Sequence, residues 1–252
     1  HTPYVAPKKY FELFPAATMK LPLVPEKHRE SAPEMAFGSY KKEQDVLTDD
    51  LRKQALQAYH ASTTFMDAQV GIVLAALERL KLADKTIVVF FSDHGYHLGE
   101  HGLWQKMSLF ENSARVPLII YDPRAKGNGK VSARTVELVD LHPTLAEACG
   151  IAPASGLLSK SLVPLLNDPA AAWDKPALTQ VSRGTPTVTG EKLSKSWSMG
   201  YSLRTERYRY TEWNHGEKGK QLYDYEQDRD ELKNLADDPA YADVLKELKG
   251  QL

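Results

Sequence analysis

The chain has 252 residues, 42% hydrophobic and 26% charged, which excludes a fibrous or disordered class and allows one sizeable core or a core with a smaller second unit. Lys plus Arg total 32 against 33 for Asp plus Glu, so the basic excess of a duplex-binding domain is absent and any anion must be met by a local pocket. No apolar run approaches the roughly 18 residues of a membrane span, residues 1–30 lack the apolar core of a signal peptide, and a lone cysteine, Cys149, excludes an internal disulfide and a cysteine-rich zinc module.

Residues 1–40 hold six of the 15 prolines and no sustained period, and read as a long surface excursion. From Thr48 to about Leu82, Leu51, Ala55, Tyr59, Ser62, Phe65, Gln69, Val73, Ala76 or Leu77, and Leu80 recur at three- or four-residue spacing, which predicts one long amphipathic helix. Thr48 is its expected N-cap, and Asp49 and Asp50 suit the positive end of its dipole. Thr86 to Phe91 is apolar on both faces and β-branched at its start, as expected of a parallel strand covered on both sides. A second apolar run, Val116 to Tyr121, ends at Asp122-Pro123. A third stretch passes through Val139 to Pro143 into a short helix ending at Cys149-Gly150, where a small buried thiol is the ordinary reading.

This order predicts an α/β fold, part of a doubly wound mixed sheet flanked by helices, over residues 1–172. Residues 173–252 read as a small C-terminal antiparallel α+β subdomain. Its strands are Tyr201 to Arg204, Tyr208 to Tyr210 and Gln221 to Tyr225, and its closing helix runs from about Pro239 to Leu248. Alternating Tyr and Arg predicts one packed and one solvated face there, in preference to a platform for nucleic acid.

Polar residues directly after a buried strand carry functional weight, because ligands of open α/β sheets bind at the carboxyl ends of strands. Asp93 and His94 hold that place, and together offer a carboxylate and an imidazole to one divalent ion. Further carboxylates would make the site suit Ca²⁺, and further imidazoles Zn²⁺. The alternative is structural, with Asp93 capping a turn and His94 bonded to backbone. The loop from Gly95 to Lys106 is punctuated by glycines, which disfavours a zinc triad of His94, His97 and His101 and leaves the last two to orient the loop. Lys106 is a single ammonium suited to a sulfate or phosphate oxygen, or else a solvated surface lysine.

The run Ser92-Asp93-His94-Gly95, Gly99-Glu100-His101-Gly102, Trp104-x-Lys106 and Arg115-Val116-Pro117 resembles the calcium-and-lysine segment of the sulfatase family, within the alkaline phosphatase superfamily. His1-Thr2-Pro3, Ala6 to Tyr10, Ser62 to Gly71, Asp140 to Leu145 and Leu203-Arg204-Thr205 with Tyr208-Arg209-Tyr210 resemble the iduronate-2-sulfatase-like branch. The resemblance implies a sulfuric ester hydrolase acting on a sulfated carbohydrate such as a 2-O-sulfated uronic acid. It makes Asp93 and His94 ligands of a catalytic Ca²⁺, Lys106 a grip on a sulfate oxygen and the bridging ester oxygen, and His1 a histidine contacting the sulfate and the leaving alcohol.

The formylglycine nucleophile of the family arises from a Cys-x-Pro-x-Arg motif, which is absent here, and the paired aspartates that complete the calcium site have no counterpart either. The expectation is therefore a C-terminal portion whose nucleophile and formylglycine belong to a missing N-terminal segment of the same protein, inactive alone. No nucleic-acid or membrane partner is expected, and the resemblance alone points to a periplasmic, secreted or lysosomal setting. Two other readings stand beside it: a zinc-dependent phosphoesterase or phosphonate hydrolase of the same superfamily, with Asp93 and His94 on zinc, and an inactive binding module that shares only the fold.

Overall fold

The computed structural model describes residues 2–184 and 197–252, with the backbone of residues 188–189 and 192–193. The helices are α1 (Lys8–Phe11), α2 (Asp49–Arg79), α3 (Glu111–Ala114), α4 (Leu141–Ala148), α5 (Val163–Asn167) and α6 (Ala242–Gln251). The strands are β1 (Val88–Phe91), β2 (Leu118–Tyr121), β3 (Ala177–Arg183), β4 (Val188–Thr189), β5 (Lys192–Leu193), β6 (Ser198–Arg204), β7 (Tyr208–Trp213) and β8 (Lys220–Asp224). No described helix is long and apolar enough to cross a membrane.

The expected long helix forms, and Thr48 caps it by accepting the amide of Leu51 at 3.3 Å. The segment before it lies along its flank: Tyr10 packs on Phe65, Phe14 stacks on His60, and Gln57 donates to the Phe11 carbonyl at 3.1 Å. Residues 28–40 depart from the surface reading. His28, Ala36 and Phe37 are buried, carried inward one at a time by short 3₁₀ turns that leave no sequence period to detect.

β1 runs antiparallel to β2, with Val88 opposite Tyr121 and Phe91 opposite Leu118, which corrects the expectation of a parallel strand. An apolar run specifies burial and leaves the direction of its partner open; here residues 92–117 return the chain alongside β1. The cover is also less complete than expected, for Phe91, Ile119 and Tyr121 are exposed, as are Ile72 and Val73 of α2. Cys149 caps the C-terminus of α4 as an exposed free thiol instead of a buried one, because Gly150 in the left-handed region (φ 70°) turns the chain outward directly after it.

The C-terminal sheet has the order β3-β6-β7-β8 and is antiparallel throughout. Val181, Trp213 and Tyr223 on one face join Phe37, Leu103, Leu109 and Phe110 in one core. On the other face Leu203, Tyr210 and Leu222 meet Leu235, which precedes α6, and Leu248, which lies in α6. Gly200 allows the tightest contact of the first face, since a Cβ there would lie 2.5 Å from the Trp213 ring. The solvated face expected for β7 is therefore absent: Arg209 is as deeply buried as Tyr210 because both sides of the sheet are covered. Leu248→Ala, which empties the main contact of α6, should lower stability by about 2–4 kcal/mol. Urea denaturation checks this, and a loss under about 1 kcal/mol would mean that α6 is not held by that side chain.

Candidate functional site

The loop after β1 is built to put short polar groups at the strand end. Gly95 donates its amide to the Ser113 carbonyl at 2.8 Å, and a Cβ at this position would stand 2.0 Å from the Asn112 carbonyl oxygen, so no other residue fits. Farther along, His97 donates its amide to Gln105, Gly99 to Leu103 and the Tyr96 hydroxyl to the Trp104 carbonyl, which folds residues 96–105 back on themselves. Gly99 adopts φ 114°, which suits only glycine.

This loop brings Asp93, His94 and Lys106 together. Asp93 Oδ1 accepts the His94 amide at 3.1 Å, and His94 Nδ1 donates to the Gly95 carbonyl at 2.8 Å. Those backbone bonds, foreseen as the structural alternative, consume one atom of each side chain. The other atoms converge: Asp93 Oδ2 is 3.5 Å from His94 Nε2, and Lys106 Nζ donates to the same nitrogen at 2.8 Å. With Nδ1 bonded to the Gly95 carbonyl, Nε2 is turned toward Lys106, which occupies it in this structure; a backbone bond at the other ring nitrogen is also what orients metal-ligating histidines. His1 lies outside the described residues.

The fit to a divalent cation is partial. One hard oxygen and one oriented nitrogen can contact a single ion, but Ca²⁺ takes about six to eight ligands, mostly oxygen. Among the described residues no cluster of three or more His, Cys, Asp or Glu could hold a metal ion. His97 and His101 do not join His94. They are buried, His97 Nε2 2.7 Å from the Ser108 hydroxyl and His101 Nδ1 2.7 Å from His28 Nε2, with the His101 ring stacked on Phe110. They orient the loop, and His28 supplies a partner that sequence spacing did not reveal.

A second buried polar group lies behind the loop. Arg209 pairs with Glu111 and, through Nε at 2.7 Å, with Glu231. It also donates to Tyr225 and Ser202, each at 3.0 Å. Burial pushes the Glu231 carboxyl up while Arg209 opposes it, and Glu111 is held below the ordinary carboxylate range by Arg209 and Arg204 despite its own burial.

Antiparallel and α/β layers with a carboxylate, an imidazole and an ammonium gathered after a strand end define a fold of the alkaline phosphatase kind. A phosphonate monoester hydrolase from Silicibacter pomeroyi matches all of this chain at a TM-score of 0.85 and 27% identity, with 53% of that chain covered. A structure solved in complex with its substrate D-glucosamine-2-N,6-O-disulfate shares the fold, at a TM-score of 0.75 and 22% identity over all of this chain and 62% of its own. The family described as Sulfatase matches residues 1–151, and N-sulphoglucosamine sulphohydrolase, C-terminal, matches residues 99–252. Iduronate 2-sulfatase of Mus musculus is 31% identical over 281 residues, covering 84% of this chain and 50% of that protein. The chain belongs to the sulfatase family, and it spans about half the length of the curated relatives it matches.

The buried imidazoles give the loop a pH dependence of definite sign. Burial lowers His97 from 6.5 to about 4; burial, with His97 and His28 beside it, lowers His101 to about 2. Burial also lowers His28, although Asp228 faces it and pulls the other way. The unfolded chain therefore binds more protons below pH 6.5, and stability falls as the pH drops from there toward the folded values. The shift of His97 alone corresponds to roughly 3 kcal/mol by pH 4. Denaturation midpoints measured between pH 7.5 and 4.5 should fall, and His97→Gln should flatten the fall.

Proposed function

We propose that the protein to which these residues belong hydrolyses sulfate esters of saccharides, and that Asp93, His94 and Lys106 form the cation- and anion-binding half of its active site. The observation that carries this reading is the convergence of Asp93 Oδ2, His94 Nε2 and Lys106 Nζ directly after β1. Sulfatase family membership supports it. The substrate class is drawn from relatives: one is an iduronate 2-sulfatase and one fold neighbour holds a glucosamine disulfate, which favours a sulfated sugar and, more narrowly, a 2-O-sulfated uronic acid.

Asp93 and His94 would hold one side of a Ca²⁺ ion, the imidazole kept in the ligating tautomer by the Gly95 carbonyl. When bound, the ion supplies positive charge that stabilises the sulfate oxygens. Lys106 adds an ammonium for a sulfate oxygen and for the ester oxygen on which charge grows as the S–O bond breaks. His1 would hydrogen-bond the sulfate and bring a proton to the leaving alcohol, which departs poorly as an alkoxide. The nucleophile, a formylglycine, and the remaining oxygen ligands would come from a part of the protein outside these 252 residues.

The Silicibacter pomeroyi structure favours a second reading, hydrolysis of a phosphonate or phosphate ester at the same atoms. The whole protein assayed on paired sulfate and phosphonate esters separates the two. The proposal expects sulfate-ester turnover that is lost on chelation, restored by Ca²⁺, and lowered about 10²–10³-fold in kcat by Lys106→Ala. Unchanged turnover in that variant, or restoration by Zn²⁺ alone, would overturn it.

A further inference from the structure

The site loop is mostly half-buried or buried, with the Asp93 side chain its exposed point at 81%, and both of its arms rest on one short turn. Gly95 abuts Asn112 and bonds to Ser113, and on the returning arm Ser108 donates its amide to the Ser113 hydroxyl at 3.4 Å. That turn is α3, four residues with no side-chain cap at its start. A helix so short does not hold itself.

Its anchor comes from the far end of the chain. The amide of Glu111, the first residue of α3, donates to Glu231 Oε2 at 2.7 Å. The other oxygen of Glu231 receives the Tyr225 hydroxyl at 2.5 Å and lies 2.7 Å from Arg209 Nε. Arg209 reaches back with Nη2 to the Glu111 carboxylate, which also has Arg204 Nε at 3.5 Å. Thus one carboxylate fixes the backbone of α3 and one guanidinium fixes its side chain, with the charges of Arg204 and Arg209 matching those of Glu111 and Glu231. Glu231 itself adopts φ 53°, a conformation unusual outside glycine, and this turns its carboxylate inward to 1% exposure.

We propose that Arg209 and Glu231 are positioning residues, which act through Glu111 and α3 to hold the loop carrying Asp93, His94 and Lys106 in its working geometry. The catalytic consequence rests on the function proposed above; the mechanical link does not. A bond from a C-terminal carboxylate to the α3 backbone is more than adhesion between two layers requires, since the apolar contacts of Trp213, Tyr223 and Phe110 already join them.

The test uses the whole protein with Glu231→Ala, Glu231→Gln and Arg209→Lys. Hydrogen exchange is read separately for residues 95–108 and for β6–β8, alongside Ca²⁺ titration by calorimetry and steady-state kinetics. Glu231→Ala should speed exchange in 95–108 about tenfold beyond the increase that loss of the Arg209 partner brings to β6–β8. It should also weaken Ca²⁺ binding several-fold and lower kcat about tenfold with KM little changed. Glu231→Gln keeps an acceptor for the Glu111 amide and should recover most of the loop protection; Arg209→Lys keeps the charge without the fork and should fall between the two. Unchanged exchange in 95–108, or equal acceleration through β6–β8, would overturn the proposal, and should Glu231→Ala not fold, the other two variants carry the same comparison. Failure of the wild-type protein to cleave sulfate esters would remove the functional reading and leave the exchange result standing.

Discussion

A guanidinium at 2% exposure survives between two covered faces of a sheet only because carboxylates and hydroxyls meet it from every side. Arg209 is that group, and the arrangement of the rest follows from the need to satisfy it. Glu111 must come from the end of the site loop, Glu231 from the turn after β8, Tyr225 from the strand end and Ser202 from β6. Removing one partner of such a buried pair costs about 3–5 kcal/mol, most of it the penalty of a charge left alone. The group therefore fixes where the C-terminal sheet meets the α/β layer more sharply than apolar packing can, because oily contacts tolerate sliding and a forked ion pair does not.

The loop itself uses the opposite strategy. Its exposed tip is short and polar, and its body is stiffened from below by imidazoles kept neutral in an apolar setting. His101 shares one proton with His28 across 2.7 Å and lies flat on Phe110, so the N-terminal excursion and the loop are locked into one body. The imidazoles are thereby divided: His94 joins Asp93 and Lys106 at the strand end, and His97 and His101 are buried in the core.

Much of this was legible in the residues. The 31-residue helix α2 and its Thr48 cap follow from period and cap chemistry, and the meeting of Asp93, His94 and Lys106 follows from their place after a strand and the glycines between them. The antiparallel pairing of β1 and β2 was not legible, because alternation and apolarity report burial without naming a partner. The burial of Arg209 was hidden for a related reason. Tyr-Arg-Tyr on a strand has the pattern of a half-solvated face, and the residues that cover it, Glu111 and Glu231, lie 98 and 22 positions away in sequence. Cys149 misled in the other direction, since a small thiol at a helix end is buried or exposed according to where the following Gly150 sends the chain.

The uncovered aliphatic and aromatic groups on α2, β1 and β2 have a practical corollary. A two-stranded ribbon that pairs with no further strand among the described residues, with Phe91, Ile119 and Tyr121 facing water, invites other ribbons to add to it. A polypeptide limited to these residues would be sticky in the cell, prone to inclusion bodies and in need of a chaperone or a solubilising fusion before any assay could begin.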